Sequence, residues 1–580
     1  MARTREEMLA ALTAEPKVQA LVVGGGINGI SAFRELALQG VDVLLVDRGD
    51  FCGACSSAPS RMIHGGLRYL ENGEFALVRE SLQERDALLR NAPHLVRPLP
   101  TTVPIQRTFS GLLNGLTGML GLRNRPAERG ALAVKTGLWL YDRLARRRRS
   151  MPPHVFRGRA ETARLWPDLP PNIRWSATYH DAWISHPERL GIELLQDAAQ
   201  AHGGALAINH MAALGRDGAG IVLADSLTGS SLTVQADVIV NATGAWADET
   251  NLAVAAPGSR PRPLVGGTKG SHLILDHPAL LRALNGHMIY FENVDGRVCI
   301  LFPYLDRVLL GSTDIRVDRP VAVRCEPEEV AYILKSLSYV FPGIAVAPEQ
   351  IVYRYSGVRP LVRSDARFTG RISRDHVVQE IPGSPPILCL VGGKWTTFRA
   401  FGAQAADRAL ALLDRPRRVA TDDLPIGGGA GYPADEAAVA AMTDALVAEF
   451  GVDPARATHV IGHYGSHAGR ILDFCRDRQD RPLAGTAYSQ AELRYLIRHE
   501  HARSHADLLQ RRTSLAITGA LSSAAIAETT AILAEELGWP AAKAAEAEAA
   551  FRAMLERDHG LTVGLLAGRD RNITGDLQCA

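Results

Sequence analysis

The apolar pattern changes period twice within the first fifty residues. Residues 1–16 are mostly polar and predict a short helix or arm that Pro16 ends. Val18-Gln-Ala-Leu-Val-Val23 is a compact β-branched run, the pattern of a strand buried on both faces. Gly24-Gly25-Gly26-Ile27-Asn28-Gly29 follows at once, and Ile30 to Gln39 then reads as a helix stopped by Gly40. Val41-Asp-Val-Leu-Leu-Val46 is a second buried strand, closed by Asp47. Strand, helix and strand within about 30 residues predict a βαβ unit.

Periodicity weakens over 51–75, a Gly- and Ser-rich stretch that reads as an ordered loop, and returns as an amphipathic helix over 76–90. Pro93 to Arg107 look extended. Residues 111–123 are apolar but too short to span a bilayer. A helical run from Ala131 to Leu144 leads into Arg146-Arg-Arg-Arg149. Strands alternate with short helices and turns from about 170 to 390. Asp414–Arg418 and Gly427–Gly431 read as a linker, and 433–570 is Ala-rich, helical in period and predicted to be a separate helical domain.

Composition narrows the classes. The 580 residues are 46% hydrophobic and 22% charged, which excludes global disorder and a collagen-like chain. A net charge of +2 provides no whole-molecule attraction to nucleic acid. The seven cysteines are scattered and odd in number, and show neither a disulfide framework nor zinc spacing, so no metal is expected. The N-terminus does not read as a signal peptide, and no stretch approaches the ~18 apolar residues of a spanning helix, so the chain is expected to be cytoplasmic or on a membrane surface. Lysine is rare, with six against a large excess of arginine, which draws attention to Lys269 and Lys394.

The strand-to-helix junction carries the first chemistry. In Gly24-x-Gly26-x-x-Gly29 the first glycine permits a tight turn, the second lets a pyrophosphate approach the backbone, and the third lets helix and strand pack closely. The helix start then presents free N–H groups and a positive dipole to phosphates. Asp47 is placed to accept hydrogen bonds from a ribose, and its charge argues against a 2′-phosphate. Two later strands also end in glycine turns, at Asn241-Ala-Thr243-Gly244 and at Gly392-Gly393-Lys394-Trp-Thr396. Three such turns suit a cofactor stretched across a sheet edge, and a helix starting near Phe398 would favour the negative charge of a reduced flavin.

Ser56-Ser57-Ala-Pro-Ser60-Arg61-Met-Ile-His64-Gly65-Gly66-Leu67-Arg68-Tyr69 is the other dense segment. Paired glycines admit a flat ring, and His64, Arg68 and Tyr69 add a titratable group, a cation and a hydroxyl. Further candidates sit in turns expected beside strands: Lys269 and His272 in Thr268–His272, the segment Leu310–Asp314, Arg359 between Gly357 and Pro360, and Arg374 before His376. Arg68, Lys269, Arg359, Arg374 and Lys394 together offer enough positive charge for a small dianion.

These motifs, taken in order over residues 18–412, resemble the FAD-dependent glycerol-3-phosphate dehydrogenases, and the helical tail resembles that family's C-terminal domain. The resemblance implies an α/β fold: a glutathione-reductase-like FAD-binding Rossmann domain (17–75, 190–250 and 350–412), a D-amino-acid-oxidase-like α+β substrate domain (76–189 and 251–349) and an all-α C-terminal domain (413–580). It implies oxidation of sn-glycerol 3-phosphate to dihydroxyacetone phosphate by hydride transfer to FAD, with electrons passed to ubiquinone or menaquinone. It also implies a peripheral position on the inner face of the cytoplasmic membrane; a homodimer is left open. FAD would be held by Gly24, Gly26, Asn28, Gly29, Asp47, Ser56, Ser57, Ser60, His64, Gly65, Gly66, Leu67, Thr243, Gly244, Gly393, Lys394 and Thr396. The chemistry would fall to His272 or His64 as base, to Arg359, Arg374 and Arg68 around the substrate, and to Tyr69 and Lys394. Leu112 to Leu122 with Arg123, Arg125 and Arg146–Arg149 is the candidate membrane contact, against the alternative of a packed loop and a solvated Arg run. Competing readings are an oxidase that passes electrons from the same substrate to O2, an amine or amino-acid oxidase of the same fold, and a cofactor-binding protein without turnover.

Overall fold

The structure, a computed structural model, describes residues 3–106, 131–145, 151–293, 295–317, 322–364, 372, 374–478 and 480–578. Two sheets organise the body. The first orders its strands His376–Ile381, Ile387–Gly392, Ser231–Asn241, Lys17–Val23, Val43–Val46 and Ala205–Ile208. The four strands from Ser231–Asn241 to Ala205–Ile208 run parallel, joined by Ile387–Gly392 on one side. Val43–Val46 is buried at every position, as expected where helices cover both faces. The helix Ile27–Leu38 packs on Phe398–Leu412 so closely that a Cβ on Gly402 would lie 2.2 Å from Ser31 Oγ. That helix begins three residues before the start expected from periodicity, because Gly26 serves as its N-cap.

The second sheet is built around Val265–Leu275, which pairs antiparallel with Ile351–Val362 along nearly its whole length. Two expectations change here. Thr268–His272 lies in the middle of a strand, not in a turn, and Ile351–Val362 belongs to this sheet, not to the cofactor domain. The glycines at 266, 267, 270 and 357 lie on these paired strands, where they admit neighbouring chains and side chains. Met62–Ile63 also joins this sheet, against Ala182 and Trp183.

Helices from Glu436–Phe450 to Val563–Gln578 form the C-terminal part. They are not a separate globule. Leu508, Leu515, Phe551 and Leu555 share one buried core with Ile274, Leu309, Tyr353 and Tyr355 of the second sheet. The stretch expected as a linker is also tied down: Arg417 pairs with Glu35 at 2.8 Å, and Ile426 is buried in the core of the first sheet. The apolar and Arg-rich segments at 112–125 and 146–149 lie outside the described residues.

Phe401, on the helix Phe398–Leu412, is fully buried in the core of the first sheet. Phe401→Ala should cost about 3–5 kcal/mol of unfolding free energy, measured by denaturant titration.

Candidate active site

A cavity of about 730 Å³ runs along the carboxyl ends of the first sheet's parallel strands and under the second sheet. This is the edge at which open α/β sheets bind ligands. Gly24 has φ +105, and a Cβ there would sit 2.7 Å from the Ala242 carbonyl. A Cβ on Gly29 would meet the Gly24 carbonyl oxygen, whereas one on Gly26 finds only Ser56 Oγ, at 3.1 Å. Gly26 therefore faces open space, and the helix it starts has no side-chain cap, which leaves first-turn amides for an anion. Ile27 N donates to Ser56 Oγ at 3.0 Å.

Asp47 clamps this loop. Its carboxylate accepts from Gly25 N at 2.6 Å and Gly49 N at 2.8 Å, while burial pushes its pKa up against those two bonds. Beside it, the Arg48 guanidinium lies 4.2 Å from the Trp246 ring centre. The second glycine turn is held by Asn241, whose Oδ1 accepts from Thr243 N and Oγ. The third is joined to the first through Asn28, whose Nδ2 donates to Gly392 O at 3.2 Å. The buried Oδ1 of Asn28 has no partner among the described residues. These features fit a dinucleotide lying across three backbone cradles.

At the other end of the cavity, His272 and Arg359 stand over glycines. A Cβ on Gly311 would overlap the His272 ring, and one on Gly270 would overlap the Arg359 guanidinium. His272 Nε2 contacts Ser60 Oγ at 2.8 Å, and its ring stacks on Tyr355 with centres 5.0 Å apart. Burial, then Arg359 and Arg61, lower its pKa to about 3, so the imidazole is neutral. Asp314 pairs with two arginines, Arg359 of the cavity wall at 3.1 Å and Arg374 at 3.5 Å. Lys269 instead pairs with the buried Glu329 at 2.5 Å, which takes it out of the pocket's free charge.

Twelve of the expected side chains and glycines share the cavity wall: Gly24, Gly26, Asn28, Asp47, Ser56, Ser60, Thr243, Gly244, His272, Arg359, Gly393 and Lys394. Others stand behind it. Gly29 packs beneath Gly24, and Ser57 Oγ turns to the Ala54 carbonyl. His64 N donates to Thr396 Oγ1 at 3.2 Å, and Gly65 N donates to Asp181. The Gly66–Leu67 turn folds the chain so that Tyr69 underlies Gly66. Burial and Lys394 hold the His64 ring neutral, with its pKa lowered to about 4. Arg374 stands off the cavity wall and is joined to Arg359 through Asp314. The side chain of Arg68 lies outside the described residues.

Lys394 lines the cavity, yet its Nζ donates to Ser81 Oγ at 2.8 Å and lies 4.5 Å from the Tyr69 ring centre. Burial lowers its pKa to about 8, although Glu80, Asp375 and Glu74 oppose the shift. Sequence reasoning did not assign roles to Asp314, Ser81 or the Arg48–Trp246 stack, because each acts through a tertiary contact. It also missed Ser504, Asp507 and Arg511, which line the cavity from the helical part.

The sheet-edge cavity, the glycine cradles and the acid beside them define a dinucleotide-binding oxidoreductase. Residues 19–399 match the FAD dependent oxidoreductases and residues 419–544 the C-terminal domain of alpha-glycerophosphate oxidase. The chain belongs to the FAD dependent oxidoreductase family, within the group that contains the glycerol-3-phosphate dehydrogenases, and its cofactor is FAD. It is 31% identical to a glycerol-3-phosphate dehydrogenase of Synechocystis, over 90% of this chain and 93% of the relative. A D-erythritol 1-phosphate dehydrogenase of Brucella abortus is 30% identical, over 86% of this chain and 95% of the relative. The fold superposes with TM-score 0.74 and 21% identity on a glycerol-3-phosphate dehydrogenase from Bacillus halodurans solved with FAD, covering 95% of this chain and 97% of that one.

The Lys394 ammonium is present below its pKa and lost above it. kcat/KM should therefore fall as pH rises through about 8. Lys394→Arg, whose cation does not titrate in that range, should remove this limb from a steady-state pH profile.

Proposed function

We propose that the protein oxidises sn-glycerol 3-phosphate to dihydroxyacetone phosphate and delivers the electrons to a membrane quinone. The observation that carries this reading is Arg359 beside the neutral His272 on the wall of the FAD cavity, with Arg374 joined to Arg359 behind it through Asp314. The Arg359 guanidinium at the cavity wall suits a phosphate dianion, which a fork of N–H donors binds bidentately.

FAD, when bound, supplies the two-electron acceptor for the substrate carbon. The chain's own residues do the rest. Arg359 and Arg374 bind the phosphate and so orient the carbon to be oxidised. His272 takes the hydroxyl proton, with Ser60 Oγ at 2.8 Å from Nε2 fixing the ring. Burial first, and then Arg359 and Arg61, depress this imidazole; a bound dianion would offset the cations' share and so strengthen the base when a phosphorylated substrate is present. His64, set behind the cavity wall, is the weaker choice of base.

Quinone reduction calls for contact with a membrane surface. The helix Ala131–Ala145 supports one: Trp139 is 58% and Leu132 44% exposed, near Lys135 and Arg143. Aromatic, apolar and cationic side chains on an outer helix suit an anionic lipid surface. No helix among the described residues is long and apolar enough to cross a membrane.

The testing experiment is an anaerobic absorbance spectrum of the purified protein. sn-Glycerol 3-phosphate should bleach the flavin band, and a quinone analogue should restore it faster than O2 does. A band that bleaches only with D-erythritol 1-phosphate would move the substrate to the longer polyol, and one that neither bleaches would sink the reading. Arg359→Leu should raise KM by about 100-fold or more while FAD stays bound, since it removes a charge-assisted contact to the phosphate. An unchanged KM would take Arg359 out of the substrate site.

A further inference from the structure

The FAD cavity has a wall that the two-sheet body does not supply. Ser504, Ala506, Asp507 and Arg511 come from the helical part and stand beside Asp47, Gly49, Asp50 and His210. Asp507–Arg512 forms a single π-helical turn, a distortion frequently found at functional sites. This turn holds a buried ion cluster against two loops of the first sheet.

Asp50 Oδ2 accepts from Arg511 Nε at 2.6 Å and Arg512 Nη1 at 2.7 Å, and its Oδ1 accepts from Arg512 Nη2 and Asn209 Nδ2. Asp507 Oδ1 accepts from Ser504 Oγ at 2.7 Å and Arg511 Nη2 at 2.8 Å, while its Oδ2 meets His210 Nε2 at 2.9 Å and Arg503 N at 2.8 Å. Asp50, His210 and Asp507 lie close enough to ligate a metal ion, but each carboxylate oxygen already has two protein partners. The cluster is a joint between the parts of the molecule.

The two arginines of this joint differ. Arg512 is fully enclosed, whereas the Arg511 side chain keeps 16% of its surface exposed and lines the cavity. Arg511 uses Nε and Nη2 for the joint, and its Nη1 has no hydrogen-bond partner among the described residues. Asp47, three positions before Asp50, lines the same cavity at the strand end where a Rossmann-type site meets the adenosine ribose.

We propose that the helical domain is part of the FAD site. Arg511 offers Nη1 to an oxygen of the adenosine half of the cofactor, and docking of the helical domain and binding of FAD are one coupled equilibrium. Undocking would strip Asp50 of both guanidinium partners and release the loops at 47–50 and 209–213 that shape this end of the cavity. Linkage then requires FAD to stabilise the docked domain by the same factor by which docking tightens FAD. The proposal rests on FAD as the cofactor.

The test uses deflavinated full-length protein, titrated with FAD and followed by flavin fluorescence. Arg511→Ala should weaken FAD binding about tenfold or more, the loss of a hydrogen bond to a charged donor. Arg494→Ala, which breaks ion pairs with Glu535 and Glu536 elsewhere in the helical domain, should leave the affinity within about twofold. In the wild type, FAD should slow amide hydrogen exchange across 504–512. Unchanged affinity in a folded Arg511→Ala protein overturns the proposal, as does exchange at 504–512 that ignores FAD. If Arg511→Ala fails to fold, the wild-type exchange result decides alone. A wild-type protein that takes up no FAD would overturn the cofactor assignment and, with it, the proposal.

Discussion

The site depends on backbone approaching backbone at the ends of buried strands. Gly24 lies against the Ala242 carbonyl, Gly29 against the Gly24 carbonyl, and Gly393 against the Asn28 amide. No side chain fits at any of the three. The absence of Cβ atoms opens the cradle in which phosphates can meet helix amides, and it brings three distant stretches of chain to one sheet edge. The second sheet obeys the same constraint, since Gly270 and Gly311 leave the room that the Arg359 guanidinium and the His272 ring occupy.

Charge around the reaction end is held in ion pairs. Glu329 neutralises Lys269, and Asp314 is shared between Arg359 and Arg374. The Arg359 guanidinium also lines the cavity, where an anionic substrate group can meet it. His272 and His64 are kept neutral, by burial first and by nearby cations second. In the proposed reaction, a proton acceptor held this way would gain strength when the substrate's negative charge arrives.

The helical domain is bound to the body by two kinds of contact. A shared apolar core joins it to the second sheet, while the Asp50–Arg511–Arg512–Asp507 cluster joins it to the loops of the first. Buried ion clusters of this sort cost desolvation and are strongly destabilised when one partner leaves. They are therefore suited to joints that must be made as a whole, and this one abuts the cofactor cavity.

The sequence alone determined the βαβ unit, the three glycine turns and the family, because these depend on local geometry: a glycine needed for a turn, an apolar run too short for anything but a strand, an acid at a strand end. It also pointed to His272, Arg359 and Lys394, residues whose chemistry is unusual in their surroundings. Only the tertiary structure decided which strand joins which sheet: Ile351–Val362 is paired by a partner some eighty residues away. The same holds for His64, drawn behind the wall by Thr396, and for Asp314, which acquires meaning from two arginines far along the chain. The reach of Arg511 into the cofactor cavity could not be read from sequence either. Its position depends on how the helical part docks, and that is set by the summed burial of a core drawn from both ends of the chain.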